Sequence, residues 1–255
     1  METDIIYNED CLKTMERLHD IDCIITSPPY NTSRVAGYLD DGSLRYEDFD
    51  DCRPDEEYMQ WTCDIFNGFD KCLKKNGSVL YNLSYSSENI ALMWQTIASV
   101  MERTNFTVAD CIVWKKSTAV PNSESANKLT RICEFVFVMC RKSEISTFLC
   151  YKEKGTVRPS GQQHYRNYFN FVEAPNNDEN CPIHKATYSS VLCRKLMMLY
   201  TDRDDVVYDP FMGTGTTAIA CIKEKRRYIG SEISKRYVDW ARRRIFCERR
   251  QLSLF

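Results

Sequence analysis

A short motif near the amino terminus combines hydrogen-bond acceptors with a rigid backbone. It directly follows the apolar run 22–25 and reads Thr26-Ser27-Pro28-Pro29-Tyr30. Ser27 offers a side-chain oxygen, and Pro28 offers a backbone carbonyl, since proline lacks an N–H but keeps its acceptor. Two successive prolines stiffen the turn, which preorganises both acceptors. Such a pair can hold both hydrogens of an exocyclic amine, so that the nitrogen lone pair turns towards an electrophile.

The last residue of this motif is aromatic. The ring of Tyr30 can stack on a nucleobase that has been taken out of a duplex. The same residues also fit a plain structural role, in which a strand ends in a Pro-Pro turn and Tyr30 packs in the core. Because the motif ends a predicted strand and opens a long polar segment, 31–55, its position favours the chemical interpretation.

A second motif, 209–217, lies between a predicted strand and a predicted helix and reads Asp-Pro-Phe-Met-Gly-Thr-Gly-Thr-Thr. Glycines at such a turn permit tight geometry and close ligand approach, and the helix amino terminus supplies free N–H groups. Glu232 ends the next predicted strand, where an acid binds ribose hydroxyls. Neither G-x-x-x-x-G-K-[ST] nor G-x-G-x-x-G occurs here. The remaining candidate is a nucleoside cofactor without a pyrophosphate, and S-adenosylmethionine fits.

Short apolar runs alternate with helical patterns, which predicts an α/β fold with a mainly parallel sheet flanked by helices. The predicted strands are 4–7, 22–26, 78–83, 107–114, 133–139, 206–208 and 227–230. The predicted helices are 11–18, 55–73, 88–101, 189–200, 217–225 and 234–249. Two segments break the alternation, 31–55 and 151–182, and loops of this length are usually functional.

Composition narrows the class of protein. No apolar run approaches the ~20 residues of a membrane span, and the first residues resemble no signal peptide. The thirteen cysteines are scattered without any C-x-x-C pair, which predicts buried thiols and no metal site. Lys and Arg outnumber Asp and Glu by ten to four in 111–166 and by eleven to four in 223–255. These basic segments suit a phosphate backbone, although solvated helix faces explain them equally well.

The chain resembles the amino-methylating DNA methyltransferases of the beta class, in which an S/D/N-P-P-Y motif precedes an F-x-G-x-G motif. Further segments that resemble the family are 8–18, 73–82, 113–116, 131–138 and 184–192. The resemblance implies a Rossmann-like, S-adenosylmethionine-dependent methyltransferase fold with a mostly parallel seven-stranded sheet. It implies one domain, 1–255, with a catalytic half (1–142), a loop-rich target-recognition insertion (about 143–182) and a cofactor-binding half (183–255).

The resemblance also implies the site residues. The catalytic residues are Ser27, Pro28, Pro29 and Tyr30. The cofactor-binding set is Asp10, Cys11, Thr26, Thr187, Asp209, Pro210, Phe211, Gly213, Thr214, Gly215, Thr216, Glu232 and Ile233. Two prolines common in the family, after His184 and near Ser189, are absent here. No metal and no covalent cysteine are implied, because Pro182 follows Cys181 instead of preceding it.

Within the family, Ser-Pro-Pro-Tyr is typical of enzymes that methylate the N4 of cytosine, and Asp-Pro-Pro-Tyr of adenine-N6 enzymes. The sequence therefore predicts cytosine N4 as the target, with adenine N6 as the alternative. Methylation of an amino group in RNA or protein is a remoter alternative, because those enzymes usually place the cofactor motif first. An inactive DNA-binding relative is a further one, against which the intact motifs argue.

Expected partners follow from the same resemblance. They are double-stranded DNA with a flipped target base, a second copy of the chain in a homodimer, and a cognate restriction endonuclease, with no membrane. The expected location is the cytoplasm of a prokaryote or of a cell infected by a phage. Side chains suited to phosphates and base edges are Lys115, Lys116, Lys152, Lys154, Arg158, Gln162, Gln163, His164 and Arg166.

Overall fold

The computed structural model describes residues 1–31, 53–86, 89–119, 121, 126–178 and 188–252. Its strands are β1 (Ile5–Tyr7), β2 (Ile21–Thr26), β3 (Leu73–Leu83), β4 (Phe106–Lys116), β5 (Cys133–Arg141), β6 (Lys154–Val157), β7 (Gln163–Tyr165), β8 (Phe171–Ala174), β9 (Val206–Asp209) and β10 (Arg227–Ser231). Its helices are α1 (Cys11–Met15), α2 (Asp55–Cys72), α3 (Ala91–Arg103), α4 (Ser190–Tyr200), α5 (Thr216–Glu224) and α6 (Lys235–Leu252), with a 3-10 turn at Lys142–Glu144.

Within the described residues, eight strands form the central sheet in the order β1-β10-β9-β2-β3-β5-β4-β8. The described strands of this sheet pair in parallel, except that β5 runs antiparallel to its neighbours β3 and β4. The carboxyl ends of β1, β10, β9, β2, β3 and β4 therefore share one edge with the amino end of β5. The strand order changes direction between β9 and β2, and ligands of open α/β sheets bind at such a switch point.

Two hydrophobic layers cover the sheet. Alternate side chains of each strand point to opposite faces, and one face packs on α4, α5 and α6 through residues such as Leu196, Ala218 and Val238. The other face packs on α1, α2 and α3, where Phe66 and Ile97 are buried. Because both faces are covered, the central strands are almost continuously apolar, and this is why their positions could be predicted.

All seven predicted strands and all six predicted helices are confirmed, with bounds shifted by no more than five residues. The loop prediction for 151–182 needs correction, because β6, β7 and β8 lie within it. β8 pairs with β4 and becomes the eighth strand, one more than predicted. These strands have three or four residues and are mostly exposed, so they lack the alternation that marks a strand in sequence. Residues 32–52, most of the other predicted loop, lie outside the described residues.

The cysteines of the described residues are free thiols, and most of them are buried. Burial raises the pKa of Cys23 and that of Cys72 to about 12, which keeps both thiols protonated. They behave as small apolar side chains. The same part of the chain contains no group of three or more side chains able to hold a metal ion. None of its helices is long and apolar enough to cross a membrane.

Candidate active site and cofactor pocket

The acceptor motif lies where β2 ends, next to the switch point of the sheet. Pro28 and Pro29 are buried, and Ser27 and Tyr30 are half-buried. The Tyr58 hydroxyl of α2 donates to the Pro29 carbonyl at 2.8 Å, so the turn is anchored to a buried side chain. Ser27 and Tyr30 meet directly, with 2.8 Å between their hydroxyl oxygens. These two hydrogen bonds hold the turn and the Ser27 hydroxyl in place at the carboxyl edge of the sheet.

A buried polar cluster surrounds Ser27. The Asn82 amide donates to Ser27 Oγ at 3.3 Å, to Tyr30 Oη at 2.5 Å and to Glu134 Oε2 at 2.9 Å. Tyr30 also donates to Glu134 Oε2 at 3.1 Å. Lys116 forms an ion pair with the second carboxylate oxygen of Glu134. Asn82 and Glu134 were not among the predicted site residues. The available signal was a polar residue near the end of an otherwise apolar run in each strand.

Asp209 connects the acceptor motif to the second motif across the switch point. Its side chain is fully buried and accepts from the Thr26 hydroxyl at 2.7 Å and from the Phe211 N–H at 3.0 Å. The Thr217 hydroxyl donates to its other oxygen. Burial raises the pKa of Asp209 to about 6, although these hydrogen bonds act in the opposite direction. The carboxyl group fixes the ends of β2 and β9 and the first turn of α5 relative to one another.

The turn after β9 depends on its glycines. Gly213 and Gly215 have positive φ values of 52° and 88°, a conformation that side chains rarely adopt. A Cβ at Gly215 would lie 2.9 Å from the Cβ of Ala241, so this glycine also allows α5 to approach α6. Glu232 holds the turn from the next strand, because its carboxylate accepts from the N–H of Gly213 at 2.8 Å and of Ser234 at 2.9 Å.

The ends of β1 and β10 add further residues of the predicted cofactor set. Asp10 caps α1 by accepting from the Leu12 N–H at 2.7 Å, and Cys11 is buried beneath it. The Asn8 amide donates to the carbonyls of Glu232 and Ile233 at 2.9 and 2.8 Å, which joins these two strand ends. Ile233 itself is 38% exposed. The edge therefore offers an apolar side chain close to a carboxylate.

An aromatic wall stands beside the turn. The rings of Phe211 and Trp61 are 5.5 Å apart between centroids, and Trp61 lies 5.7 Å from Tyr58. The guanidinium of Arg53 lies 5.2 Å from the Trp61 ring. Trp61 of α2 was not predicted as a site residue, because an aromatic side chain on an amphipathic helix is usually a core residue. It places α2 against both the Tyr58–Pro29 anchor and the cofactor turn.

A family model described as DNA methylase, of the N6/N4 type, matches residues 21–243. The chain belongs to this family. Among the similar proteins are the type II methyltransferase M.BglII of Bacillus subtilis, 25% identical over 92% of this chain and 67% of the relative, and M.Cfr9I of Citrobacter freundii, 26% identical over 94% and 87%. The PvuII DNA methyltransferase (cytosine-N4-specific) superposes with a TM-score of 0.70 at 18% identity, over 94% of this chain and 86% of that one.

A further solved structure, the M1.HpyAVI–SAM complex, has a TM-score of 0.60 at 24% identity and covers 94% of this chain and 98% of that one. The protein is thus a DNA methyltransferase of the N4-cytosine/N6-adenine family, and its cofactor is S-adenosylmethionine. The residues at the edge fit this group. The Glu232 carboxylate suits ribose hydroxyls, exposed Ile233 suits an adenine face, and half-exposed Phe211 suits an apolar chain beside a cationic sulfur.

The structure places the other predicted cofactor residues of the methyltransferase as follows. Pro210, Thr214 and Thr216 are buried in the turn and the first residue of α5. Arg244 of α6 donates to the Thr214 carbonyl at 2.8 Å and supports the turn from behind. Thr187 lies outside the described residues. The first motif, the second motif and the ends of β1 and β10 therefore meet at one edge of the sheet, which is the arrangement that a methyltransferase requires.

The predicted DNA-contacting side chains fall into two groups. The first group lies on β4, where Lys115 pairs with Glu173 at 3.2 Å and Lys116 with Glu134. The second group lies on or beside the β6–β7 hairpin and comprises Lys152, Lys154, Arg158, Gln162, Gln163, His164 and Arg166. Most of this group is exposed, and Arg166 pairs with Glu153 at 3.0 Å. Lys116 differs from the rest, because its ammonium belongs to the buried cluster around Ser27.

Proposed function

We propose that the protein transfers the methyl group of S-adenosylmethionine to the N4 of a cytosine in DNA. The observation that carries this proposal is Ser27, the first residue of the acceptor motif, at the end of β2 beside the cofactor turn. In this family Ser-Pro-Pro-Tyr is typical of cytosine-N4 enzymes. The cytosine-N4-specific PvuII enzyme, which shares the fold at 18% identity, supports the same choice.

In this reaction, residues of the protein position the target amine and bind the cofactor. S-adenosylmethionine supplies an electrophilic methyl group on a sulfonium sulfur. Ser27 Oγ and the Pro28 carbonyl accept the two hydrogens of the target amine, so the nitrogen lone pair faces the methyl group. The ring of Tyr30 stacks on the flipped base. Glu232 binds the ribose, and Phe211 packs beside the methionine portion of the cofactor.

We infer that target recognition lies in the region 143–182, in which the β6–β7 hairpin presents the exposed basic and amide side chains. Such side chains contact phosphates and base edges. The homodimer, the cognate restriction endonuclease and the cytoplasmic location belong to the same proposal. The endonuclease and the location are supported by bacterial relatives that carry type II methyltransferase names, and the homodimer is carried over from the family resemblance alone.

The test of the proposed function is the identity of the methylated nucleoside. The protein is incubated with labelled S-adenosylmethionine and PCR-amplified DNA of varied sequence, which carries no modification, and the DNA is digested to nucleosides. We expect the label in N4-methylcytosine. Label in N6-methyladenine would overturn the assignment of the base while leaving the family intact. Label in added RNA or in protein alone would overturn the assignment of DNA as substrate.

The ribose role of Glu232 gives a second prediction. Glu232→Gln keeps one acceptor oxygen but loses the charge, and hydrogen bonds to charged groups contribute about 1.5–3 kcal/mol. We expect the Kd for S-adenosylmethionine, measured by titration calorimetry, to rise about 10- to 100-fold. Glu248→Gln is the matched control. Glu248 is half-buried like Glu232, but its carboxylate pairs with Lys223. Equal Kd values for wild type and Glu232→Gln would contradict the ribose role.

A further inference from the structure

The cluster around Ser27 is a continuous row of polar side chains contributed by four neighbouring strands. Ser27 follows β2, Asn82 lies near the end of β3, Glu134 near the start of β5 and Lys116 at the end of β4. All four side chains lie on the same sheet face, because the residues two and four positions away from them along each strand belong to one core layer. These core residues are Cys23, Ile25, Leu80, Val136, Val138, Ile112 and Trp114. Asn82 and Glu134 are 2% and 8% exposed.

The hydrogen bonds in this row have a direction. Glu134 as a carboxylate only accepts, and it receives both the Tyr30 O–H and an Asn82 N–H. The Tyr30 hydroxyl donates its only proton to Glu134. Ser27 is therefore the donor, and Tyr30 the acceptor, in the hydrogen bond between their hydroxyl groups. The proton of Ser27 therefore points away from the target position. One lone pair of Ser27 accepts from Asn82 over a long 3.3 Å contact, and the other is left for the target amine.

A charge at the far end keeps this direction fixed. Lys116 pairs with Glu134 at the oxygen that Tyr30 and Asn82 do not use. The side chains of Lys116 and Glu134 are only 18% and 10% exposed, and a buried carboxylate without a cation would be costly. The amide of Asn82 is also oriented by Glu134, because a rotated amide would aim its oxygen at the carboxylate. The other end of that amide, Asn82 Oδ1, is buried and has no hydrogen-bond partner among the described residues.

We propose that Glu134, paired with Lys116, is the positioning residue and final proton acceptor of the methyl transfer. This inference rests on the proposed function. The amine nitrogen forms a bond to the methyl carbon as the carbon–sulfur bond breaks, and the electron pair of that bond stays on sulfur. The nitrogen, now positively charged, gives a proton to Ser27 Oγ. Ser27 passes its own proton to Tyr30 Oη, and Tyr30 passes its proton to Glu134 Oε2.

The main test is Glu134→Gln, assayed with S-adenosylmethionine and the amplified DNA. The amide keeps the size of Glu134 but cannot take the proton. We expect kcat to fall about 100-fold, the usual range for loss of a proton-transfer group, with the KM for DNA and the Kd for S-adenosylmethionine unchanged. Glu144→Gln is the matched control, since Glu144 is a buried carboxylate paired with Arg141 at the opposite edge of the sheet. It should retain the wild-type kcat.

Tyr30→Phe separates the relay from simple packing, because it removes the hydroxyl and keeps the stacking ring. We expect a comparable loss of kcat, and no further loss in the double variant Tyr30→Phe, Glu134→Gln, because both changes interrupt one chain. Additive losses would overturn the relay. The relay would also be overturned if Glu134→Gln raised KM and left kcat within threefold of wild type.

Glu134→Gln leaves Lys116 without its ion-pair partner, and this variant could therefore fail to fold. A second variant keeps the proposal testable in that case. Lys116→Met combined with Glu134→Gln removes both charges at similar volume, a change that buried ion pairs usually tolerate. We expect this double variant to remain about 100-fold slower than wild type. Recovery of the wild-type kcat would reduce Glu134 to a partner for Lys116 and overturn the proposal. Absence of any methylated nucleoside with the wild-type protein would instead refute the proposed function.

Discussion

Ser27→Ala is expected to lower kcat for DNA methylation by about 100- to 1,000-fold, a range known for removal of one preorganised polar group from an active site. The variant loses one of the two acceptors for the target amine, and the Pro28 carbonyl alone cannot set the direction of the nitrogen lone pair. Binding of S-adenosylmethionine should be unchanged, because the Ser27 hydroxyl forms its hydrogen bonds with Tyr30 and Asn82 and not with the described residues of the cofactor turn.

The fold should tolerate this substitution. Tyr30 and Asn82 still bond to each other and to Glu134, so no buried donor loses its last partner. Ser78→Ala is the matched control, since Ser78 is a buried serine of the same sheet whose hydroxyl contacts the thiol of Cys23. Single-turnover rates with saturating S-adenosylmethionine measure the effect. A rate for Ser27→Ala within fivefold of wild type would contradict the acceptor role.

The residues that sequence could identify are those whose chemistry is local. Ser27 and Tyr30 belong to one five-residue motif, and the glycines of the cofactor turn belong to another. Glu232 could be placed because parallel strands that follow each other along the chain, β9 and β10, end at one edge. In each case the spacing along the chain is enough to bring the groups together.

Asn82 and Glu134 could not be identified in this way. They are 52 residues apart in sequence, and Glu134 is 104 residues from Tyr30. Their contact depends on the insertion of β5 between β3 and β4 in the antiparallel direction, which leaves the amino end of β5 beside the carboxyl ends of its neighbours. An apolar run predicts a strand but carries no information about its neighbours or direction. Long-range strand order is therefore what the sequence lacked.

The buried carboxyl group of Asp209 gives the last prediction, a stability that depends on pH. Burial raises the pKa of Asp209 to about 6 in the folded protein, whereas an aspartate in the unfolded chain titrates near 3.9. The folded state therefore holds the proton more tightly, and the stabilisation from this group is fully present below about pH 4. It is lost as the pH rises through 6, and the difference corresponds to about 3 kcal/mol.

Asp209→Asn has no proton to lose. We expect the free energy of unfolding of wild type, relative to Asp209→Asn, to fall by about 2 kcal/mol between pH 4 and pH 7.5, as measured by urea denaturation. Asp70→Asn is the control of opposite sign. Burial alone would raise the pKa of Asp70, but hydrogen bonds from Arg141 and Asn105 outweigh it and lower the pKa. The contribution of Asp70 is therefore complete above about pH 4 and disappears only in stronger acid.

Parallel pH curves for wild type and Asp209→Asn would show that Asp209 does not hold its proton in the folded protein. The Thr26 and Thr217 hydrogen bonds would then dominate over burial at the switch point of the sheet.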